Sequence, residues 1–361
     1  MTLANDAARK NRDVTVITAA PGDDCALARE LTPHVRQMSI SESRIGRLSK
    51  YVRLMPFLLR RRAFLQSMDI VHVHLLFGTA VGTVLWTIDG ASGPKIVETF
   101  HAAGMPLAAW KRRMTAINAR CRDAFVLMAD DPLLVDTIGT EHRSRLHIIP
   151  NGIDIPDSAN EGERATLKQQ LGVPVSSPLI GTVGRMVAER EPEKMLRLFD
   201  CLRRQVPDAH FVMGGDGPLL DSVRAKARDM GLLSRLHLPG AVSKPLELMK
   251  ACDLYISINV GPLTGIAGLE AAATSTPVIA IQARPDERPG PDDWIWSDFD
   301  PEQVAGRARQ LLDRPDERFS LGQAQRQQVI DRYSAEAMSE AYLKLYSELL
   351  AEGPDIPSNA R

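Results

Sequence analysis

Short apolar runs rich in β-branched residues recur along the chain, separated by segments with helical spacing and by turn residues. In the first half they are 13–18 (DVTVIT), 69–75 (DIVHVHL), 95–101 (KIVETFH), 123–129 (DAFVLMA) and 145–152 (RLHIIPNG). In the second half they are 178–185 (PLIGTVGR), 209–217 (AHFVMGGDG), 235–241 (RLHLPGA), 253–259 (DLYISIN) and 277–281 (PVIAI). Continuously apolar runs predict strands buried on both faces, as in a parallel sheet covered by helices. Strand and helix alternating through two series predict an α/β chain of two doubly wound, Rossmann-like domains. The polar, proline-bearing stretch 153–177 reads as the linker, which gives domains of 1–153 and 154–334. A helix at about 335–352, apolar at helical spacing, can pack back on the first domain. Such a domain ordinarily opens with a strand and a glycine-rich turn. Here a helical segment leads directly into 13–18, so the first sheet is expected to lack one strand.

The 361 residues suit two such domains. Lys+Arg is 44 and Asp+Glu is 45, for a net charge of −1, so nothing overall drives counterion release from a nucleic acid. Cys25, Cys121, Cys201 and Cys252 lie far apart with no CxxC pair, which argues against a zinc site or a disulfide framework and for a reducing compartment. No apolar leader opens the chain. The longest uncharged stretch, 75–88, is shorter than the roughly 20 residues that span a bilayer and reads as a buried core helix.

Three segments carry candidate chemistry. Gly184-Arg185 ends a buried run and Arg190 follows, at the carboxyl end of a strand where ligands of open α/β sheets bind. Two guanidinium groups there suit a diphosphate; alternatively they form a solvated pair neutralised by Glu189, Glu191 and Glu193. The turn GGDGP (214–218), with Gly215 inside it, allows close backbone approach to a ligand, although any strand–helix turn favours such residues. The segment 261–281 runs from a Gly/Thr loop into a short helix containing Glu270, then into a buried strand. Loop amides at that helix start can hold an anion and Glu270 can bind a ribose diol, or Glu270 can simply face solvent.

Taken together, the DIVHVH run, TFH, IPNG-I-D, GR with a later basic residue, GDGP and LEAAATSTPVIA resemble, in order, the GT-B-fold glycosyltransferases of family 4. The resemblance extends from about Asp13 to Leu350 and is strongest over 178–281. It implies two domains facing across a cleft, a retaining reaction and a nucleoside diphosphate sugar donor. It further implies that Arg185 and Arg190 hold the donor diphosphate, with Gly184 and Gly215 beside them. Glu270 would bind the ribose, Val242 would lie at the base with its backbone, Leu263, Thr264 and Gly265 would lie at the donor, and His101 would reach towards the transferring sugar. Pro262 stands where the family has the first Glu of its E-x7-E motif. The expected acceptor is a glycan or a lipid-linked acceptor, with no metal and no other cofactor. A nucleotide-sugar-binding subunit that partners an active transferase is the alternative, and an NAD(P)-dependent dehydrogenase lacks its G-x-G-x-x-G motif.

His72 and His74 share one side of a strand, as core or cleft-wall residues or as a metal pair without a third ligand nearby. In DFD (298–300), Asp300 reads as a helix N-cap rather than a metal ligand. Residues 41–68 set Arg44, Arg47, Lys50, Arg53, Arg60, Arg61 and Arg62 against Glu42 alone, with a helical break expected before Pro56. That stretch reads as an anionic membrane surface element or as an ordinary core-facing helix with a basic outer side. The expected location is the cytoplasm, peripheral to the inner face of the membrane if the acceptor is lipid-linked.

Overall fold

The computed structural model describes residues 2–19, 31–41, 49–101, 108–259, 265–282, 295–297 and 300–351. The chain divides into two compact units, Met1–Gly152 with Ala335–Arg361, and Ile153–Ser334.

In the first unit α1 (Thr2–Arg9) leads into β1 (Thr15–Thr18), which pairs in parallel with β2 (Arg36–Ser39). Helices α2 (Ser49–Arg60) and α3 (Arg62–Gln66) follow. Then come β3 (Ile70–His74), α4 (Leu75–Asp89), β4 (Lys95–Phe100), α5 (Ala109–Asn118), β5 (Ala124–Leu127), α6 (Pro132–Ile138) and β6 (Leu146–Ile148). The last four strands form a parallel sheet in the order β3-β4-β5-β6, separate from the β1-β2 pair among the described residues. Its two faces are covered differently. Val97, Ala124 and Val126 pack against Tyr342, Leu345 and Leu349 of the C-terminal helix, whereas Ile96 meets Leu85 of α4 and Leu54 and Leu58 of α2. Under α4, the buried Arg122 donates to the Glu98 carboxylate at 2.6 Å and to the Thr79 carbonyl at 2.8 Å, which satisfies a charge withdrawn from water.

The expected break before Pro56 does not occur: α2 runs through it. The missing proline N–H leaves the Val52 carbonyl without its helical donor, but Leu54 and Leu58 anchor the turns on either side in the core. Of the basic stretch, Arg62 binds the buried Asp89 carboxylate at 2.8 Å and Arg53 donates to Ser41 Oγ at 2.8 Å. Arg44 and Arg47 lie outside the described residues, as does the side chain of Lys50; Arg60 and Arg61 are exposed. No described helix is long and apolar enough to cross a membrane.

The second unit opens with α7 (Glu161–Gln170), inside the stretch expected to be linker. Asn160 caps it by accepting from the Glu163 N–H at 2.9 Å. Then follow β7 (Leu179–Val183), α8 (Pro192–Gln205), β8 (His210–Gly214), α9 (Leu220–Asp229), β9 (Leu236–Gly240), α10 (Pro245–Ala251), β10 (Leu254–Asn259), α11 (Ile266–Ala273), β11 (Val278–Gln282), β12 (Ile295–Ser297), α12 (Pro301–Asp313) and α13 (Pro315–Tyr333). The sheet is parallel with the order β12-β11-β10-β7-β8-β9, and α14 (Ala335–Ala351) returns the chain to the first unit. Leu198, Phe199 and Leu202 of α8 bury against Phe211 of β8, with the two phenyl rings 4.7 Å apart. Asp300 caps α12 by accepting from the Glu302 N–H at 3.0 Å, while the preceding two residues of the DFD triplet lie outside the described residues.

Candidate active site

The second unit begins its sheet in the middle. From β7 the chain winds outward through β8 and β9, then returns past β7 to place β10 on its other side. That reversal separates the loops that leave the two adjacent strands and opens a crevice at their carboxyl ends. The register shows the opening: β10 pairs with β7 only through Leu254–Ile180 and Tyr255–Gly181. Beyond it the buried Tyr255 hydroxyl spans the gap, accepting from the Val183 N–H at 2.9 Å and donating to the Val183 carbonyl at 3.1 Å. Burial raises the tyrosine pKa, so the hydroxyl keeps the proton that it donates. A depression of about 200 Å³ lies there, lined among others by Val183, Gly184, Arg185, Arg190, Ser257, Gly265, Ile266 and Ala267.

Backbone bonds fix the strip that carries Arg185. The Gly184 N–H donates to the Gly214 carbonyl at 2.9 Å and the Met186 N–H to the Asp216 carbonyl at 2.9 Å. In turn the Gly215 N–H donates to the Gly240 carbonyl at 2.7 Å. Gly215 has φ +138°, and a Cβ on it would lie 1.8 Å from the Gly184 carbonyl oxygen. The glycines of the 214–218 turn are therefore a condition of the strip's position. Val242 packs half-buried over Gly214, just beyond β9.

Arg185 and Arg190 are both exposed and both line the depression. Two of the three acids that could neutralise them are engaged by lysines. Glu191 binds Lys194 at 2.7 Å and Glu193 pairs with Lys226, while the Glu189 side chain is outside the described set. Opposite, Gly265–Ala267 contribute the start of α11, whose first N–H groups precede the helical bonding pattern and favour an anion. Glu270 sits one turn further along α11, half-buried, and burial raises its carboxyl pKa. Leu263 and Thr264, with Pro262, lie outside the described residues.

In the first unit, the register of β3 against β4 sets His74 opposite Thr99, which brings His101 within reach. His74 Nδ1 and His101 Nε2 are 2.9 Å apart, so one ring donates to the other. His72 is bonded at both nitrogens, to Thr99 Oγ1 and to the Tyr346 hydroxyl, each at 2.6 Å, and Thr99 meets the Tyr342 hydroxyl at 3.0 Å. The three histidines come together, yet His72 has no nitrogen left for a metal, and no described group of three side chains could hold one. The His74 ring keeps an accessible edge while the surrounding protein and then His101 lower its pKa to about 4; burial also lowers those of His72 and His101. At neutral pH all three rings are uncharged. Tyr255, Tyr342 and Tyr346 are the site residues that sequence reasoning missed. Each sits in an apolar run or on an apolar helix face where a tyrosine reads as core.

Two family models divide the chain between them: Glycosyltransferase Family 4 over residues 1–156 and Glycosyl transferases group 1 over residues 163–328. A D-inositol 3-phosphate glycosyltransferase of Corynebacterium urealyticum is 26% identical over 320 residues, 80% of this chain and 74% of that protein. The UDP-Gal:alpha-D-GlcNAc-diphosphoundecaprenol alpha-1,3-galactosyltransferase of Escherichia coli is 25% identical over 59% of this chain and 58% of its own length. Among solved structures, HepE of Anabaena in complex with UDP and glucose superposes with a TM-score of 0.76 at 16% identity, covering 96% of this chain and 95% of that one. That likeness shows the fold.

Proposed function

We propose that this chain, which belongs to the family 4 glycosyltransferases of the GT-B fold, takes its sugar from a nucleoside diphosphate sugar and passes it, with anomeric configuration retained, to a glycan or lipid-linked acceptor in polysaccharide or glycolipid assembly. The observation that carries this reading is the pair Arg185 and Arg190 lining one depression at the sheet's switch point, with Glu191 and Glu193 engaged by lysines. As the bond from the sugar's anomeric carbon to the diphosphate breaks, negative charge grows on the departing phosphate oxygens. Two guanidinium groups already in place stabilise that charge without reorganisation, and they supply the counter-charge that a metal would otherwise bring. The acceptor oxygen bonds to the anomeric carbon on the same face, and its proton passes to the departing phosphate oxygen. Glu270 is the candidate for the ribose and His101 for the transferring sugar. The working location is the cytoplasm.

The test is turnover of a panel of nucleoside diphosphate sugars, UDP-hexoses first because the Anabaena protein binds UDP and glucose. The expected result is release of the nucleoside diphosphate with an anomer-retained product; no turnover of any donor in the panel opposes it. Pro262, in place of a motif Glu, favours a second reading, a donor-binding subunit of low intrinsic activity. Tight binding of a donor without turnover for any acceptor selects that reading.

A further inference from the structure

The crevice of the second unit is a wedge between two halves of one sheet. Strand β10 keeps its pairing with β11 as far as Asn259–Gln282, but it leaves β7 after Tyr255–Gly181. Beyond that point β7, β8 and β9 carry the arginine strip on one side, and β10 leads to α11 with Glu270 on the other. An unbroken register would set Ser257 opposite Val183; instead both residues line the depression.

Among the described residues, the last residue of β7 therefore has no strand partner on that side. Successive amides of a strand point to opposite edges. The Gly184 N–H bonds to Gly214 of β8, so the Val183 N–H and carbonyl face the gap. The Tyr255 hydroxyl takes the place of the absent strand, accepting at 2.9 Å and donating at 3.1 Å as a neighbouring backbone would. Its ring is 1% exposed and buried in one cluster with Leu269, Ala272 and Ala273 of α11. A single side chain ties the strand end that precedes Arg185 to the helix that carries Glu270.

We propose that Tyr255 is a positioning residue that sets the opening of this wedge, and with it the span from a ribose at Glu270 to a second phosphate at Arg185. The inference rests on the donor-site reading above and deepens it, because it assigns the preference for a diphosphate to a buried hydroxyl acting through Val183. Without that hydroxyl the Val183 N–H and carbonyl are orphaned at the apex of the wedge, and the strip shifts to regain partners. A shift of about 1 Å in a positioning group is enough to cost on the order of a hundredfold. The structure also holds a matched control. Gln325 of α13, fully buried, clamps Val278 in the same way, accepting from its N–H at 2.7 Å and donating to its carbonyl at 3.0 Å. That clamp lies at the amino end of β11, whereas the crevice opens at the carboxyl ends of the strands.

The experiment is isothermal titration of the full chain with a nucleoside diphosphate and its monophosphate, UDP and UMP first and then the pairs for other bases. It is run on the wild type, Tyr255→Phe and Gln325→Met, whose replacements keep the volume of the side chain. Both variants leave two buried backbone groups unpaired, so both melt a few degrees below the wild type, in a cooperative transition that shows they have folded. Tyr255→Phe weakens the diphosphate at least about tenfold and the monophosphate by less than about twofold, while Gln325→Met changes neither by more than about twofold. Three results overturn the inference alone: a wild-type preference for the diphosphate that Tyr255→Phe keeps, equal weakening of both nucleotides, or the same loss of preference in Gln325→Met. A wild-type chain that prefers no diphosphate over its monophosphate overturns the donor-site reading and this inference with it.

Discussion

Replacing Gly215 with alanine perturbs the arginine strip while leaving every charge in place. The added Cβ would lie 1.8 Å from the Gly184 carbonyl oxygen and 2.8 Å from its carbon, where ordinary contact begins near 3.4 Å. Both obstructing atoms are backbone, so no rotamer relieves the overlap, and the strip must retreat by about 1.6 Å (3.4 − 1.8). A positive φ of +138° adds about 1–3 kcal/mol of backbone strain. Misplacement of a positioning group by about 1 Å costs on the order of a hundredfold in rate. We therefore expect Gly215→Ala to lower kcat/KM for the donor by about a hundredfold, with a fall of several degrees in melting temperature. Gly231→Ala is the control. It also has positive φ, +66°, but no atom lies within 4 Å of its Cβ, so it takes the strain without moving the strip. Donor turnover and thermal melting on both variants separate steric displacement from strain. If Gly215→Ala keeps kcat/KM within about twofold, or matches Gly231→Ala, the strip does not set the donor site.

Two further outcomes follow from buried charge. Arg122→Met leaves Glu98 as an uncompensated carboxylate beneath α4 and should cost about 3–5 kcal/mol in urea unfolding; a loss under about 1 kcal/mol contradicts the pairing. His74, with its folded pKa lowered to about 4, binds a proton more readily in the unfolded chain, whose histidine pKa is 6.5. Its contribution is thus present above pH 6.5 and is lost as pH falls from 6.5 towards 4. His74→Asn should flatten that part of the urea-midpoint curve against pH, leaving the slope due to His72 and His101; an unaltered slope refutes the assignment.

The ten apolar runs all appear as strands. In β4, β5, β7, β8, β10 and β11 burial on both faces leaves the uninterrupted signature, whereas β1, β3, β6 and β9 are only partly buried and were legible from their β-branched and apolar content. What escaped the sequence lacked such a run. Strand β2 reads RQMS and is half exposed, and β12 is three residues long. Helix α7 was hidden because its buried positions are Arg164 and Lys168, satisfied by Glu161 and Asp253 in place of an apolar stripe. In the candidate site, Gly184, Arg185 and Gly215 were legible because strand end, turn and cation are adjacent in sequence. The His74–His101 bond was not, since it depends on the register of two strands. Nor was the Tyr255 bridge, which depends on the divergence of β10 from β7.

The central claim is that Arg185 and Arg190 recognise a diphosphate. Isothermal titration of UDP against UMP, with the corresponding pairs for other bases, tests it on the wild-type chain and on the Arg185→Ala, Arg190→Ala double variant. Charge-assisted hydrogen bonds of about 1.5–3 kcal/mol predict that the wild-type chain prefers one nucleoside diphosphate over its monophosphate by at least about tenfold, and that the double variant loses that preference while still folding. A double variant that discriminates the second phosphate as well as the wild-type chain would contradict the account.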